Sequence, residues 1–200
     1  AATGKIYRYD GTNMSIELEI PFNGTGFTDV KIASNGRVFA SIVETSTAGG
    51  VWTSLTGNGS WTQIASNGSL TGWSSAGRIV LGVAPSNANI VYALYVNGNS
   101  GAIEGDLWKY KVSTNSWTNF SSKLPDEAGG DSEGNDPFAI QGGYDLVVSV
   151  KPNDENFVVI GGTNIYKISN IETSSTFTRI GGYLNNLGYN LYNVGGTVHH

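Results

Sequence analysis

An acidic loop in the middle of the chain holds the densest group of carboxylates in the sequence. It spans residues 126–137 and includes Asp131, Glu133 and Asp136. Carboxylate and amide oxygens on a bendable loop are the ligands that Ca²⁺ takes in proteins. We therefore predict no cofactor, with Ca²⁺ as the one candidate, which these three residues would bind with Asn135 as a further donor. Because no glutamate follows at the distance of a regular calcium-binding loop, a solvated acidic loop is the alternative.

The same carboxylates also belong to the residue type that hydrolyses glycosides. That reaction uses two carboxyl groups roughly 5–10 Å apart, one of them with a raised pKa, on either side of a sugar cleft. Asp145, which follows Tyr144 at the start of a predicted strand, is the best single partner for the loop. Asp145 is therefore the candidate catalytic residue, although a chain with no catalytic site is the interpretation that we favour.

Several aromatic residues fall outside the repeating pattern of the chain. Trp73 lies in a segment rich in Gly and Ser, and Tyr183 and Tyr189 lie in a second segment rich in Gly and Asn. Exposed rings in loops stack on sugar rings or anchor a protein partner. We therefore predict a ligand-binding role for Trp73, Tyr144, Tyr183 and Tyr189. The alternative is that these rings cap the edges of the sheets.

Composition argues against several other classes of function. The chain has no cysteine, which excludes disulfides, zinc thiolate sites and cysteine nucleophiles. Its two histidines are His199 and His200, so a Ser-His-Asp triad is not predicted. The formal net charge is −5 and the 11 cationic residues are scattered, so we expect no nucleic-acid partner. No apolar run is long enough to span a bilayer, so membrane insertion is not expected.

The elements that must position these residues repeat along the chain. Residues 83–92 superpose on residues 150–159 without a gap, and each copy reads as strand, turn, strand. A proline ends the first strand of each copy because it cannot donate a hydrogen bond to the ladder. A third copy, over residues 30–39, keeps the spacing between Val30 and Val38 but makes its turn with an Asn-Gly pair.

A second hairpin, closed by aromatic residues, follows each copy. The aromatic pairs are Trp52 and Trp61, Trp108 and Trp117, and Tyr166 and Phe177. Two hairpins in succession make a four-stranded unit, which is the organisation of a propeller blade. The single domain over residues 1–200 is then divided into a blade end at 4–20, blades at 27–64, 78–120 and 144–180, and an inter-blade segment at 181–200.

The predicted fold is therefore all-β, a partial β-propeller of about three and a half blades, each a four-stranded antiparallel sheet. Propellers close with about four to eight blades. We therefore expect the partner of this chain to be the remainder of a longer propeller or a second chain.

The second hairpins resemble degenerate copies of the Asp-box, the Ser-x-Asp-x-Gly-x-Thr-Trp turn of BNR/sialidase-type propellers. They lie at residues 55–61, 112–117 and 169–177, and they keep the closing aromatic but lack the Asp of the turn. The resemblance covers most of the chain and extends to secreted bacterial repeat proteins, xyloglucanase-type glycoside hydrolases and sortilin-type receptors. It implies a secreted, extracellular or cell-surface location. In such proteins further blades follow a stretch like Val198-His199-His200, which implies a longer chain.

That resemblance is specific for fold rather than function, because such propellers include hydrolases, receptors, assembly factors and adhesins. The expected function is a non-catalytic propeller segment that binds a polysaccharide or a protein through loops between blades. One alternative is part of a secreted glycoside hydrolase, although no stretch matches the catalytic segments of the xyloglucanase type. The other alternative is a scaffold segment of an extracellular assembly.

Overall fold

The computed structural model describes residues 4–21, 26–43, 47–99, 103–125 and 140–182. These residues form fourteen β-strands and three short 3-10 helices. The strands are β1 (Gly4–Tyr9), β2 (Met14–Ile20), β3 (Thr28–Ile32), β4 (Val38–Ile42), β5 (Gly50–Ser54), β6 (Thr62–Ala65), β7 (Ile79–Val83), β8 (Ile90–Val96), β9 (Gly105–Lys111), β10 (Ser116–Asn119), β11 (Val147–Lys151), β12 (Asp154–Gly161), β13 (Ile165–Ile168) and β14 (Thr178–Gly181). In this part of the chain, no helix has the length and apolar character needed to cross a membrane.

The strands form three four-stranded antiparallel sheets and one hairpin. The first sheet is β3–β6, the second is β7–β10 and the third is β11–β14, while β1 pairs with β2 alone. Within each sheet, every strand pairs with the strands next to it in sequence, as expected for strands joined by hairpins. The prediction of an all-β fold built from four-stranded antiparallel blades is confirmed.

The first strands of the three sheets lie next to one another. Asp29 on β3 accepts a hydrogen bond from the backbone N–H of Leu81 on β7, with Oδ2 2.9 Å from the nitrogen. Strands β7 and β11 approach so closely that a Cβ added to Gly82 would lie 3.0 Å from the carbonyl oxygen of Val148. The sheets therefore stack face to face with β3, β7 and β11 innermost, which is the arrangement of a partial β-propeller.

An aromatic cluster fills the space between the first and second sheets. The ring centroids of Trp73 and Tyr95 are 4.5 Å apart, and those of Trp73 and Trp117 are 5.3 Å apart. The indole N–H of Trp117 on β10 also donates to the carbonyl oxygen of Ile64 on β6, at 2.7 Å. The two sheets are thus joined both by apolar packing and by a directed hydrogen bond at their outer strands.

The alignment of the third repeat copy was predicted wrongly by two residues. Val30 does not pair with Val38; Ile32 does, in the place that Val83 takes opposite Val91 in the second sheet. The reason is the length of the turn. The Asn-Gly turn between β3 and β4 closes in four residues, with its glycine at a φ of +86°, whereas the turn between β7 and β8 is two residues longer. Ile32, not Val30, is therefore the equivalent of Val83.

Candidate ligand-binding cleft

A cleft of about 290 Å³ opens where the loop that leads into the third sheet meets the second sheet. Its walls carry Arg78, Tyr144, Asp145, Val147, Thr163 and Ile165. The start of β7, the start of β11 and the turn after β12 all reach the same end of the stacked sheets, because the strands alternate in direction. The topology therefore brings together residues that lie far apart in the sequence.

The loop on one side of this cleft is held against the second sheet by a glycine. Gly143 has a φ of +93°, a conformation that residues with a Cβ rarely adopt. A Cβ at this position would lie 2.8 Å from Val96 and 3.0 Å from the Cβ of Arg78. The N–H of Gly143 also donates to the carbonyl oxygen of Ile140 at 2.7 Å, closing a tight turn. Only glycine combines this backbone geometry with such a close approach.

Arg78 fixes the same loop from the opposite wall. Its Nη1 donates to the carbonyl oxygens of Gly143 and Tyr144, each at 3.1 Å. Its guanidinium carbon also lies 5.9 Å from the ring centroid of Phe27, within the range of a cation–π contact. Arg78 was missed in the sequence because both hydrogen bonds join positions at least 65 residues apart. No pattern of neighbouring residues in the sequence indicates such a contact.

Tyr144 presents the largest exposed ring at the cleft. The residue is 72% exposed, while its backbone is held by Arg78. Val147 and Ile165 also expose apolar side chains in the walls of the cleft. An aromatic ring next to apolar side chains and a few polar groups is the usual composition of a small-ligand site. Tyr144 and Asp145, both selected from the sequence, are thus brought to one cleft.

Asp145 is half-buried, and its backbone N–H lies 3.4 Å from the carbonyl oxygen of Ile140. It is the only carboxylate among the described residues that line this cleft. Glycoside hydrolysis requires two carboxyl groups across the scissile bond. The described part of the cleft therefore has one candidate for acid–base chemistry and no second carboxylate to complete a pair.

Trp73 is not where the sequence analysis expected it. The residue is only 4% exposed, and its ring packs among Tyr95, Trp108 and Trp117. Trp73 is therefore not the exposed ring that was expected, because it packs between the first and second sheets. The segment that carries Trp73 packs against the second sheet. The Gly- and Ser-rich composition of this segment did not indicate that packing.

The remaining predicted site residues lie outside the described residues. They are Tyr183 and Tyr189, and the proposed calcium ligands Asp131, Glu133 and Asp136. Across the described ranges, His, Asp and Glu side chains form no group of three that could hold a metal ion. The calcium site and the roles of the two tyrosines stay predictions.

A second groove, of about 340 Å³, lies at the same end of the second sheet. It is lined by Asn97, Asn99, Ile103, Asp106, Ser121 and Ser122. Asp106 on β9 lies opposite Tyr95 on β8. Burial is the main cause that raises the pKa of the Tyr95 hydroxyl. Amides, hydroxyls and one carboxylate give this groove several hydrogen-bonding groups within a small volume. It extends the polar surface beside the cleft.

A third cavity, at the opposite end of the sheets, has most of its charged groups engaged within the protein. The ammonium of Lys109 donates to Asn156 at 2.8 Å and to Glu172 at 2.7 Å. Asn87 donates to the carboxylate of Glu155. Because these groups already satisfy one another, the cavity joins the second and third sheets and offers little to a ligand.

Comparisons with known proteins bear on the fold. No family model matches the chain, and no curated protein matches it. A solved GH74 enzyme from Niastella koreensis is similar in structure, with a TM-score of 0.54 and 17% identity over 88% of this chain. A GH74 xyloglucanase from Xanthomonas campestris aligns over 72% of this chain and 19% of its own, with 16% identity and a TM-score of 0.45. This chain spans 28% of the Niastella enzyme. The first likeness supports the same conclusion as the sheets, a partial β-propeller.

Proposed function

We propose that this chain is a non-catalytic segment of a secreted or cell-surface propeller that binds a glycan in the cleft between its second and third sheets. The observation that carries the proposal is the exposed ring of Tyr144 on a loop fixed by Arg78. A loop whose main chain is held in place loses little freedom when a sugar stacks on the ring that it carries. The apolar face of a sugar ring fits such a surface, as does the apolar wall formed by Val147 and Ile165.

The polar groups near Tyr144 suit a neutral or weakly charged sugar. Arg78 and Thr163 line the cleft with Asp145, and the neighbouring groove adds the amides of Asn97 and Asn99. Sugar hydroxyls both donate and accept hydrogen bonds, so carboxylates, amides and hydroxyls can serve them together. A glycan long enough to occupy both cavities would contact each type of group.

The test is a panel of soluble polysaccharides and oligosaccharides, xyloglucan among them, measured by isothermal titration with a parallel assay for new reducing ends. We expect binding without product. Tyr144→Ala should weaken binding about tenfold, corresponding to the loss of roughly 1.4 kcal/mol of ring contact. Tyr9→Ala is the matched control because Tyr9 is also an exposed tyrosine, on β1. Failure of every glycan to bind, or equal effects of the two variants, would contradict the proposal.

The second candidate is a piece of a secreted glycoside hydrolase. The structural likeness to the Niastella GH74 enzyme favours it, together with the position of Asp145 in the cleft. In that case the second carboxylate of the catalytic pair comes from residues outside the described part of the cleft. New reducing ends that disappear in Asp145→Asn, while glycan binding persists, would replace the first proposal with this one.

A further inference from the structure

The inner edge of strand β1 differs from the corresponding edges in the three sheets. Among the described residues, β1 pairs only with β2. The third strands of the sheets, β5, β9 and β13, each pair with a strand on both sides. The hairpin β1–β2 matches the outer half of a blade, because it is followed by a complete sheet in the order of the repeat. An edge of this kind presents unpaired N–H and C=O groups to another strand.

The face of β3 next to this edge is also bare. Val30 is 41% exposed and Ile32 is 65% exposed. The strand register makes Leu81 the equivalent of Val30 in the second sheet, and Val148 and Val150 the equivalents in the third. All three of those residues are buried. Val83, the equivalent of Ile32 in the second sheet, is half-buried. The same apolar positions are therefore wholly or partly covered in two sheets and exposed in one.

The hairpin β1–β2 covers the first sheet as far inward as β4. Ile6 and Leu18 pack in one buried cluster with Ala40 and Ile42 of β4, both of which are fully buried. Beyond β4 the hairpin makes only a few contacts with β3, and Val30 and Ile32 stay exposed. The exposed surface is therefore the face of β3, and it lies next to the edge of β1 that pairs with no described strand.

We propose that the free edge of β1 and the exposed face of β3 form a docking surface for a two-stranded antiparallel hairpin carried by another propeller segment. The outer strand of that hairpin pairs with β1, and its apolar side chains cover Val30 and Ile32. This is β-augmentation combined with face packing. It continues the interface by which β7 packs against β3 and β11 packs against β7.

The chain itself shows the chemistry that the occupant needs. In the second sheet, β7 and β8 are the inner pair, and their side chains Val80, Tyr92 and Leu94 are buried against the third sheet. These residues alternate along their strands, so one face of the pair is continuously apolar. A hairpin with alternating apolar residues of this kind fits the bare face, and a charged or helical segment does not.

A synthetic peptide with the sequence of residues 79–96, carrying lysines at both ends for solubility, is the probe. Titration calorimetry with the full chain measures its affinity, and amide hydrogen exchange locates it. We expect the peptide to bind, to slow exchange in Lys5–Tyr9, and to bind at least about tenfold more weakly to Ile32→Asp. Ile180→Asp is the control, since Ile180 is an exposed isoleucine on β14 and should change affinity by less than about twofold.

Three outcomes would overturn the inference. The peptide does not bind, it binds equally to Ile32→Asp and wild type, or it protects amides elsewhere than in β1. Sedimentation of the chain alone distinguishes a second possible occupant. Self-association that Ile32→Asp abolishes would mean that a second copy of the chain, rather than an inner hairpin, covers this face. None of these measurements involves a glycan, so they stand independently of the function proposed above.

Discussion

Arg78 holds the main chain of Tyr144: its Nη1 lies 3.1 Å from the carbonyl oxygen of Tyr144 and 3.1 Å from that of Gly143. The arginine precedes the first strand of the second sheet, and the loop leads into the third. One side chain therefore helps to hold the main chain of the loop that carries Tyr144 and Asp145. A loop fixed before binding loses less conformational freedom when a ligand arrives.

Replacing Arg78 should show how far this residue positions the loop that carries Tyr144, apart from its contribution to the stability of the fold. Arg78→Met keeps the length of the side chain but removes both hydrogen bonds, and we expect a loss of about 1 kcal/mol in the free energy of unfolding. Hydrogen exchange in residues 140–146 should become faster, and affinity for a glycan found in the panel should fall severalfold. Arg37→Met, which alters an arginine of the first sheet, is the control. Unchanged exchange in the loop would show that Arg78 does not position it.

Gly143 tests the close approach of the same loop. Gly143→Ala places a Cβ 2.8 Å from Val96 at a φ of +93°, so it combines backbone strain with a steric clash. We expect a loss of about 2–4 kcal/mol in the free energy of unfolding, measured by urea denaturation. Gly142→Ala is the matched control, because Gly142 also has a positive φ but has open space around it. It should cost only about 1 kcal/mol, and similar losses in the two variants would contradict the role of the clash.

The hydrogen bond between Trp117 and Ile64 offers a test of how the first two sheets are joined. Trp117→Phe keeps an aromatic ring but removes the N–H that donates to the Ile64 carbonyl oxygen at 2.7 Å. Trp61→Phe is the control, since the buried indole N–H of Trp61 has no hydrogen-bond partner among the described residues. Beyond the packing loss shared by both, we expect Trp117→Phe to cost about 1 kcal/mol more. Chemical denaturation measures the difference, and equal losses would show that the bond contributes nothing net.

The parts of the fold that could be predicted are those encoded over short distances. Strand alternation, prolines after first strands and the recurring aromatic pairs are local patterns, and together they predicted four-stranded antiparallel sheets. The position of Tyr144 and Asp145 at a strand start was also local. The features that the sequence analysis missed depend on contacts between sheets. The burial of Trp73 requires the rings of three later strands, and the loop contacts of Arg78 require the residues that lead into the third sheet.

The alignment of residues 30–39 with residues 83–92 shows a second limit of prediction from the sequence. The equal spacing of valines in residues 30–39 and 83–92 predicted equivalence, but a turn shortened by two residues moved Ile32 into the position of Val83. In a β-strand a shift of two residues keeps the same face, so the pattern of alternation gave no warning. The correction matters for function, since it identifies Val30 and Ile32 as the two bare positions on β3.

Glu17 links the β1–β2 hairpin to the first sheet and makes that link sensitive to acid. Its carboxylate accepts from Arg8 Nε at 2.7 Å and from the backbone N–H of Gly59 at 2.6 Å. The hydrogen bond from Arg8, followed by that from Gly59, lowers the pKa of Glu17 below its ordinary value of 4.5. The ionised form therefore stabilises the fold above that value, and the contribution is lost as the pH falls through the lower pKa of the folded state.

Glu17→Gln removes the charge at similar size and should lower the stability of the chain at neutral pH. The difference from wild type should shrink as the pH falls below 4.5, which urea unfolding from neutral pH to about pH 3 measures. Glu19→Gln is the control, because Glu19 forms an exposed ion pair with Lys5 at 3.1 Å and such pairs contribute little. If the Glu17→Gln and wild-type curves stay parallel across the acid range, Glu17 does not carry the acid sensitivity of the hairpin. The link between β2 and the turn at Gly59 would then depend on contacts that do not need the charge of Glu17.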